Sequence, residues 1–230
     1  MTWRVVKLSD VVPTPWKNGG GTTRELIAWP DSENWVWRMS VAEVAQSGPF
    51  SRFDGVQRWF AVLDGAGVVL THNGKRQALT VNSAPLCFDG GLPTACELLD
   101  GATQDFNLMV RIAADGVASD AAGRACAVVR TERVRESTPV NISVETDVLS
   151  STIKTIAIYS ISTWANVLFN GVETSISPRS LVWRKVSTHD AIRIAAEDAL
   201  LIEIDVANVA AEPASALMAT HLATSLRSNQ

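Results

Sequence analysis

The 230 residues, 47% hydrophobic and 19% charged, describe an ordinary soluble globular protein, long enough for one large domain or two small fused ones. A net charge of -4 with twenty dispersed basic residues excludes a nucleic-acid surface, which needs clustered Lys and Arg to neutralise phosphates. No apolar run approaches the roughly 20 residues that span a bilayer, and MTWRVVKLSD lacks the apolar core of a signal peptide, so a cytoplasmic protein without membrane partners is expected.

The chain opens on a short strand, Trp3 to Leu8, followed by the loop SDVVPTPWKNGGGT. Its prolines and three successive glycines oppose regular structure and let backbone N–H groups converge. Two readings stand for it: an anion-binding loop built from Asn18, Gly19, Gly20, Gly21 and Thr22, or a conformationally demanding turn. It lacks the Lys and spacing of a nucleotide phosphate loop.

Strands are then predicted over Thr22 to Trp29, Val36 to Ala42, Val56 to Leu63, Val68 to Thr71, Gln77 to Val81, Ala84 to Phe88, Thr94 to Leu99 and Asp105 to Ile112. Ala45 to Gly55 reads as a loop, and Asn73-Gly74 signals a hairpin. The period of two puts Val36, Arg38, Ser40 and Ala42 on one face of their strand and Arg58 with Val56, Phe60 and Val62 on one face of theirs. A guanidinium on an apolar face either snorkels to water, pairs with a carboxylate or waits for an anion. Ala113 to Gly123, small and acidic, marks the boundary between halves.

A second series of strands follows: Ala125 to Arg130, Thr138 to Val144, Thr155 to Ser160, Ala165 to Phe169, Glu173 to Ile176, Ser180 to Arg184, Ala191 to Ile194 and Leu200 to Asp205. Pro213 to Leu226 reads as a terminal helix. The expected organisation is an all-β chain with a first unit over 1–115, a second over 124–207 and a tail over 208–230. No residue-level repeat links the halves. Cys87, Cys96 and Cys126 read as buried thiols without disulfide or zinc spacing. His72, His189 and His221 stand too far apart for a His-rich metal centre, and the first and last are expected to face solvent. The eight tryptophans are expected mainly in the core, with Trp16 and Phe50 as candidates to cap a pocket mouth.

WKNGGGTTRE at Trp16 to Glu25, WRMSVAEVAQSGPFSRFDGVQRWFAVLDGAG at Trp37 to Gly67, and FDGG followed by LLDGATQDFNLMVR up to Arg111 resemble the HutD/Ves family. The resemblance covers residues 1 to 112 and implies a bicupin, two antiparallel cupin or jelly-roll barrels in one chain, often assembled into homo-oligomers. Metal-binding cupins carry two histidines and a glutamate, then a glycine after six residues. Here Arg58 precedes Gly65 by that interval and SRFD occupies Ser51 to Asp54, so neither metal nor cofactor is expected. Where a metal cupin holds a cation, an arginine holds an anion.

The candidate ligand residues are therefore Arg38 and Arg58, with Ser40, Ser51, Asn18, Thr22, Gly19 to Gly21, Glu25 and Asn107 around them. A competing network in which Glu25, Asp89 or Asp105 neutralises the arginines has equal standing. The resemblance implies a small-molecule-binding protein that senses or buffers an anionic intermediate of histidine utilisation, N-formylglutamate or urocanate. The alternatives are a metal-independent isomerase or hydrolase, with Glu25 as base and Arg58 as electrostatic stabiliser, and an oligomeric, stress-related Ves-like module. No Ser-His-Asp order or activated Cys supports catalysis.

Overall fold

The computed structural model describes residues 2–111, 127–135, 140–142, 153–187 and 190–206. Those residues form strands, turns and one 3-10 turn, Leu8–Asp10, with every strand pairing antiparallel. The boundary expected at 113–123, the helix expected over 213–226, Cys126, His189 and His221 lie outside them. No helix among the described residues is long and apolar enough to cross a membrane, which says nothing about strands.

The first half contributes two sheets. The larger has the order Thr14–Pro15, Gly21–Trp29, Trp37–Val44, Thr103–Arg111, Val56–Asp64, Leu86–Asp89, and the smaller Gly48–Pro49, Thr94–Leu98, Val68–His72, Lys75–Leu79. The second half mirrors this. Its larger sheet runs Arg4–Lys7, Ser180–Ser187, Ile153–Ser160, Ala199–Val206, Ala127–Val134, and its smaller Val140–Ile142, Ile192–Ala196, Ala165–Phe169, Val172–Ile176. The first strand, expected inside the first unit, instead edges the second half's larger sheet, with Val5 opposite Val182.

Of four buried apolar clusters among the described residues, three are large; the fourth gathers Trp35, Val56 and Met109. Between the two larger sheets, Trp37, Met39, Val41, Phe106 and Leu108 from the first half meet Ala157, Tyr159, Leu181, Trp183 and Ile202 from the second. The opposite faces of the same strands build a core within each half: Phe60, Val62, Leu70 and Phe88 in the first, Ile156, Ile158, Val182 and Ile194 in the second. Central strands are thus buried on both sides, although in the first half the inner face also carries Arg58, Ser40, Asp105 and Asn107.

Asn73-Gly74 makes the predicted two-residue hairpin, with φ of 47° and 72°. Its second strand begins two residues earlier than predicted, at Lys75, because that turn lets pairing start at once. The proline- and glycine-rich segment after Leu8 and the loop at Ala45 to Gly55 each hold a two-residue strand, Thr14–Pro15 and Gly48–Pro49. Cys96 is buried but Cys87 is exposed. His72 is half-buried and stacks on Phe88 with ring centroids 5.6 Å apart. Trp164, expected in the core, is 63% exposed.

Candidate functional site

Strand register places the misplaced polar residues together. Across the first half's larger sheet, Arg58, Met109 and Arg38 form one rung, Phe60, Asn107, Ser40 and Glu25 the next, and Val62, Asp105, Ala42 and Thr23 a third. These rungs share the face turned toward the smaller sheet, while Trp37, Met39 and Val41 take the other. Two arginines, one amide and two carboxylates, Glu25 and Asp105, therefore converge on a single face.

Arg58 is the deepest of them, with 5% of its surface exposed. One terminal nitrogen donates to Asn107 Oδ1 at 2.8 Å, and the Asn107 amide in turn donates to Asp105 Oδ1 at 2.5 Å. Arg58 Nε and Asp105 Oδ2 are buried without a partner. The rings of Phe50, Phe53 and Phe88 surround the guanidinium at 5.1, 5.8 and 5.2 Å, within cation–π range. Gly90 makes room for the arginine stem, since a Cβ there would sit 3.1 Å from Arg58 Cδ. That packing accounts for the glycine in FDGG.

Burial governs the electrostatics. It pushes the Asp105 carboxyl up to about 8 even though Arg58 and the Asn107 amide favour its ionised form. Arg58 is lowered to about 10, first by burial, with Asp105 opposing and Arg38 assisting. Cys96 is raised to about 12, again chiefly by burial and then by Asp105. Arg38 sits nearer the rim, 3.5 Å from Glu25 and over Trp35 and Phe53. Its pKa is lowered by burial, partly offset by Glu25.

The remaining expected residues divide. Ser40 is buried on the site face. Asn18 and Gly20, with Trp16, Ser47 and Phe50, line a cavity of about 210 Å³. Asn18 Oδ1 accepts the Gly20 N–H at 3.0 Å, so part of the glycine loop's donor capacity is used within the loop. Gly19 has φ of 72°. Gly21 is needed for close packing, because a Cβ would fall 2.2 Å from the Glu43 carbonyl and 3.0 Å from the Trp16 ring.

Thr22 faces away from the site, opposite Glu43; Thr23 faces inward and accepts the Trp16 indole N–H at 2.7 Å. Ser51 is exposed in its loop. Asp89 is also exposed, accepting the Gly91 N–H at 2.8 Å rather than neutralising an arginine. The aromatic enclosure by Phe53 and Phe88 escaped sequence reasoning; its signal was the phenylalanine spacing in GPFSRFDG and in CFDGG. Among the described residues, no three His, Cys, Asp or Glu side chains gather as a metal site would require.

The family model for HutD matches residues 8–138. An uncharacterized 21.2 kDa protein in the hutC 3′ region of Pseudomonas putida is 36% identical over 108 residues, 46% of this chain and 57% of the relative. Protein Ves of Cronobacter sakazakii is 39% identical over 97 residues, 42% of this chain and 54% of Ves. The matches thus span little more than half the length of these curated relatives. Among solved structures, HutD from Pseudomonas fluorescens SBW25, in a formate condition, superposes with a TM-score of 0.70 at 26% identity, covering 90% of this chain and all of that one. The family match covers more than half of the sequence and includes the strands that carry Arg38, Arg58 and Asn107, so the chain belongs to the HutD family.

Proposed function

We propose that this chain is a metal-free, cytoplasmic bicupin that binds a small carboxylate at Arg58, and that it senses or buffers an anionic intermediate of histidine utilisation rather than catalysing its conversion. The observation that carries the reading is the state of Arg58. Its acidic neighbour Asp105 bonds to the Asn107 amide rather than to the guanidinium, and burial pushes that carboxyl up to about 8. The guanidinium then lies in an aromatic enclosure with an unpartnered Nε and no ionised carboxylate bonded to it. A buried cation in that condition gains strongly from an incoming carboxylate.

Phe50 both lines the cavity of Trp16 and Asn18 and lies 5.1 Å from the Arg58 guanidinium, so that cavity is the nearest open space in which this reading seats a ligand. A resident guanidinium also repels a metal cation from the place a metal cupin would use. The pathway assignment rests on the HutD family and on the P. putida relative named for its position beside hutC. The finer architecture in this reading is two barrels, each made of one larger and one smaller sheet, with a terminal helix and assembly into homo-oligomers.

Calorimetric titration with N-formylglutamate and with urocanate, paired with denaturant unfolding, tests the reading. The parent protein is expected to bind at least one of them. Arg58→Lys, which keeps the charge and loses the planar fork, should weaken binding more than stability. Arg58→Met should abolish binding with little loss of stability. A parent that binds neither anion, with an Arg58→Met variant destabilised by about 3–5 kcal/mol as expected for a stranded buried charge, would return Arg58 to a structural network.

A further inference from the structure

We propose that the cleft between the two halves is a second anion site, built for a small phosphate-type dianion and independent of Arg58. The cleft has a volume of about 440 Å³ and lies at the edge of the core shared by the two larger sheets. Three cations reach it from three separate segments: Lys7 at the end of the first strand, Arg24 from Gly21–Trp29, and Arg179 from the turn before Ser180–Ser187. Ser9 and Ser177 also line it, the first donating its hydroxyl to Asp10 at 3.0 Å and the second bonded to the Ser180 hydroxyl at 2.9 Å.

The opposing charges are modest. Glu43 lies on the wall, and Asp64 approaches Arg179 only to 3.8 Å in an exposed pair, which water screens. Arg24 commits Nε to the Val11 carbonyl at 3.1 Å. That bond orients the guanidinium and leaves its terminal nitrogens, the pair that grips oxyanions, for the cleft.

Two further observations bear on the charge held at this cleft. Tyr159, the only tyrosine of the chain, is 0% exposed, and its hydroxyl has no hydrogen-bond partner. Burial raises that hydroxyl to about 12, while Arg179 and Arg24 pull it down, so it sits in the field of two of the cleft's cations. Tyr159 is not itself on the wall of the cleft, so its hydroxyl reports the field of these cations rather than a contact with the ligand.

The second observation is backbone strain. Arg179 holds φ of 56°, a left-handed conformation that disfavours a long side chain. It is clamped there by its N–H on the Ser160 carbonyl at 2.8 Å and by the Leu8 N–H on its own carbonyl at 2.9 Å. Both the strain and the clamp fix a cation at the mouth of the cleft.

The single tyrosine makes the test direct. The full chain labelled with 3-fluorotyrosine should give one fluorine resonance, and titration with inorganic phosphate at constant ionic strength should shift it saturably. Arg24→Gln should weaken the apparent affinity by roughly tenfold or more, the loss of one charge-assisted fork. Arg179→Gln, at an exposed side chain that folding does not need, should weaken it as well, and Arg58→Met should leave it unchanged. A shift that never saturates, one reproduced by chloride, or one retained in both cleft variants would overturn the proposal. Saturation by succinate but not phosphate would overturn the assignment to a phosphate-type ligand.

Discussion

Asp105 and Arg58 set the behaviour of the site as a pair in which burial disfavours both charged forms, but only the Asp105 carboxyl is carried near neutral pH while Arg58, at about 10, keeps its charge. The sign of the resulting pH dependence is definite. A carboxyl raised from 3.8 to about 8 on folding keeps a proton that the unfolded chain releases. Its favourable contribution is complete below about pH 4 and is lost as pH rises toward 8. The stability of Asp105→Asn relative to the parent should therefore climb between these limits, with a slope approaching about 1.4 kcal/mol per pH unit. Unfolding both proteins in urea across that range measures it, and a flat difference would show that Asp105 is ionised in the native protein. Arg58, lowered to about 10, enters this balance only at higher pH.

At the scale of elements, the tight turns decide which strands meet. Gly67 lies between Val56–Asp64 and Val68–His72 with φ of 107°, and a Cβ there would stand 2.2 Å from the Leu79 carbonyl oxygen. Its own carbonyl accepts the Leu99 N–H and the Thr103 hydroxyl. Gly67→Ala should thus cost about 3 kcal/mol from combined backbone strain and overlap. Gly74→Ala, at φ of 72° with open space around it, should cost about 1 kcal/mol. Chemical denaturation of both variants checks the contrast; equal losses would mean that conformation alone, without the contact, sets the penalty. Asn170-Gly171, with φ of 48° and 82°, closes a hairpin in the second half just as Asn73-Gly74 does in the first. That correspondence survives where side-chain similarity between the halves does not.

For the whole molecule, the shared core controls cooperativity. Trp37 and Trp29 from the first half contact Trp183 from the second at centroid distances of 5.6 and 5.7 Å, and Arg4 lies 4.7 Å over the Trp183 ring. The first strand, paired onto the second half's sheet, adds a covalent tie between the halves. Trp183→Ala should lower stability by about 3–5 kcal/mol, because a large ring is removed from a packed interior. Fluorescence and far-ultraviolet dichroism should still report one coincident transition in the parent. Separate transitions for the two halves, or proteolytic release of an independently folded half, would contradict a common core.

Local sequence was enough to determine the all-β character, most strand positions and the face on which Arg38, Ser40 and Arg58 lie, because alternation and Asn-Gly turn chemistry act over a few residues. It also pointed to Arg38, Arg58 and Asn107 through the family motifs, and register brought them onto adjacent rungs. Tertiary structure alone decided the rest. Which acid meets which arginine depends on depth: Asp105, reached through Asn107, became the partner of Arg58, while Asp89 went to a turn. Thr22 and Thr23 differ only in side, and the pairing of Thr23 with Ala42 put the second, not the first, on the inner face. The phenylalanine enclosure, the crossing of Arg4–Lys7 to the other half and the cleft lined by Lys7, Arg24 and Arg179 all join residues far apart in sequence. Nothing in their local patterns records those meetings, since long-range packing is set by how whole sheet faces bury one another.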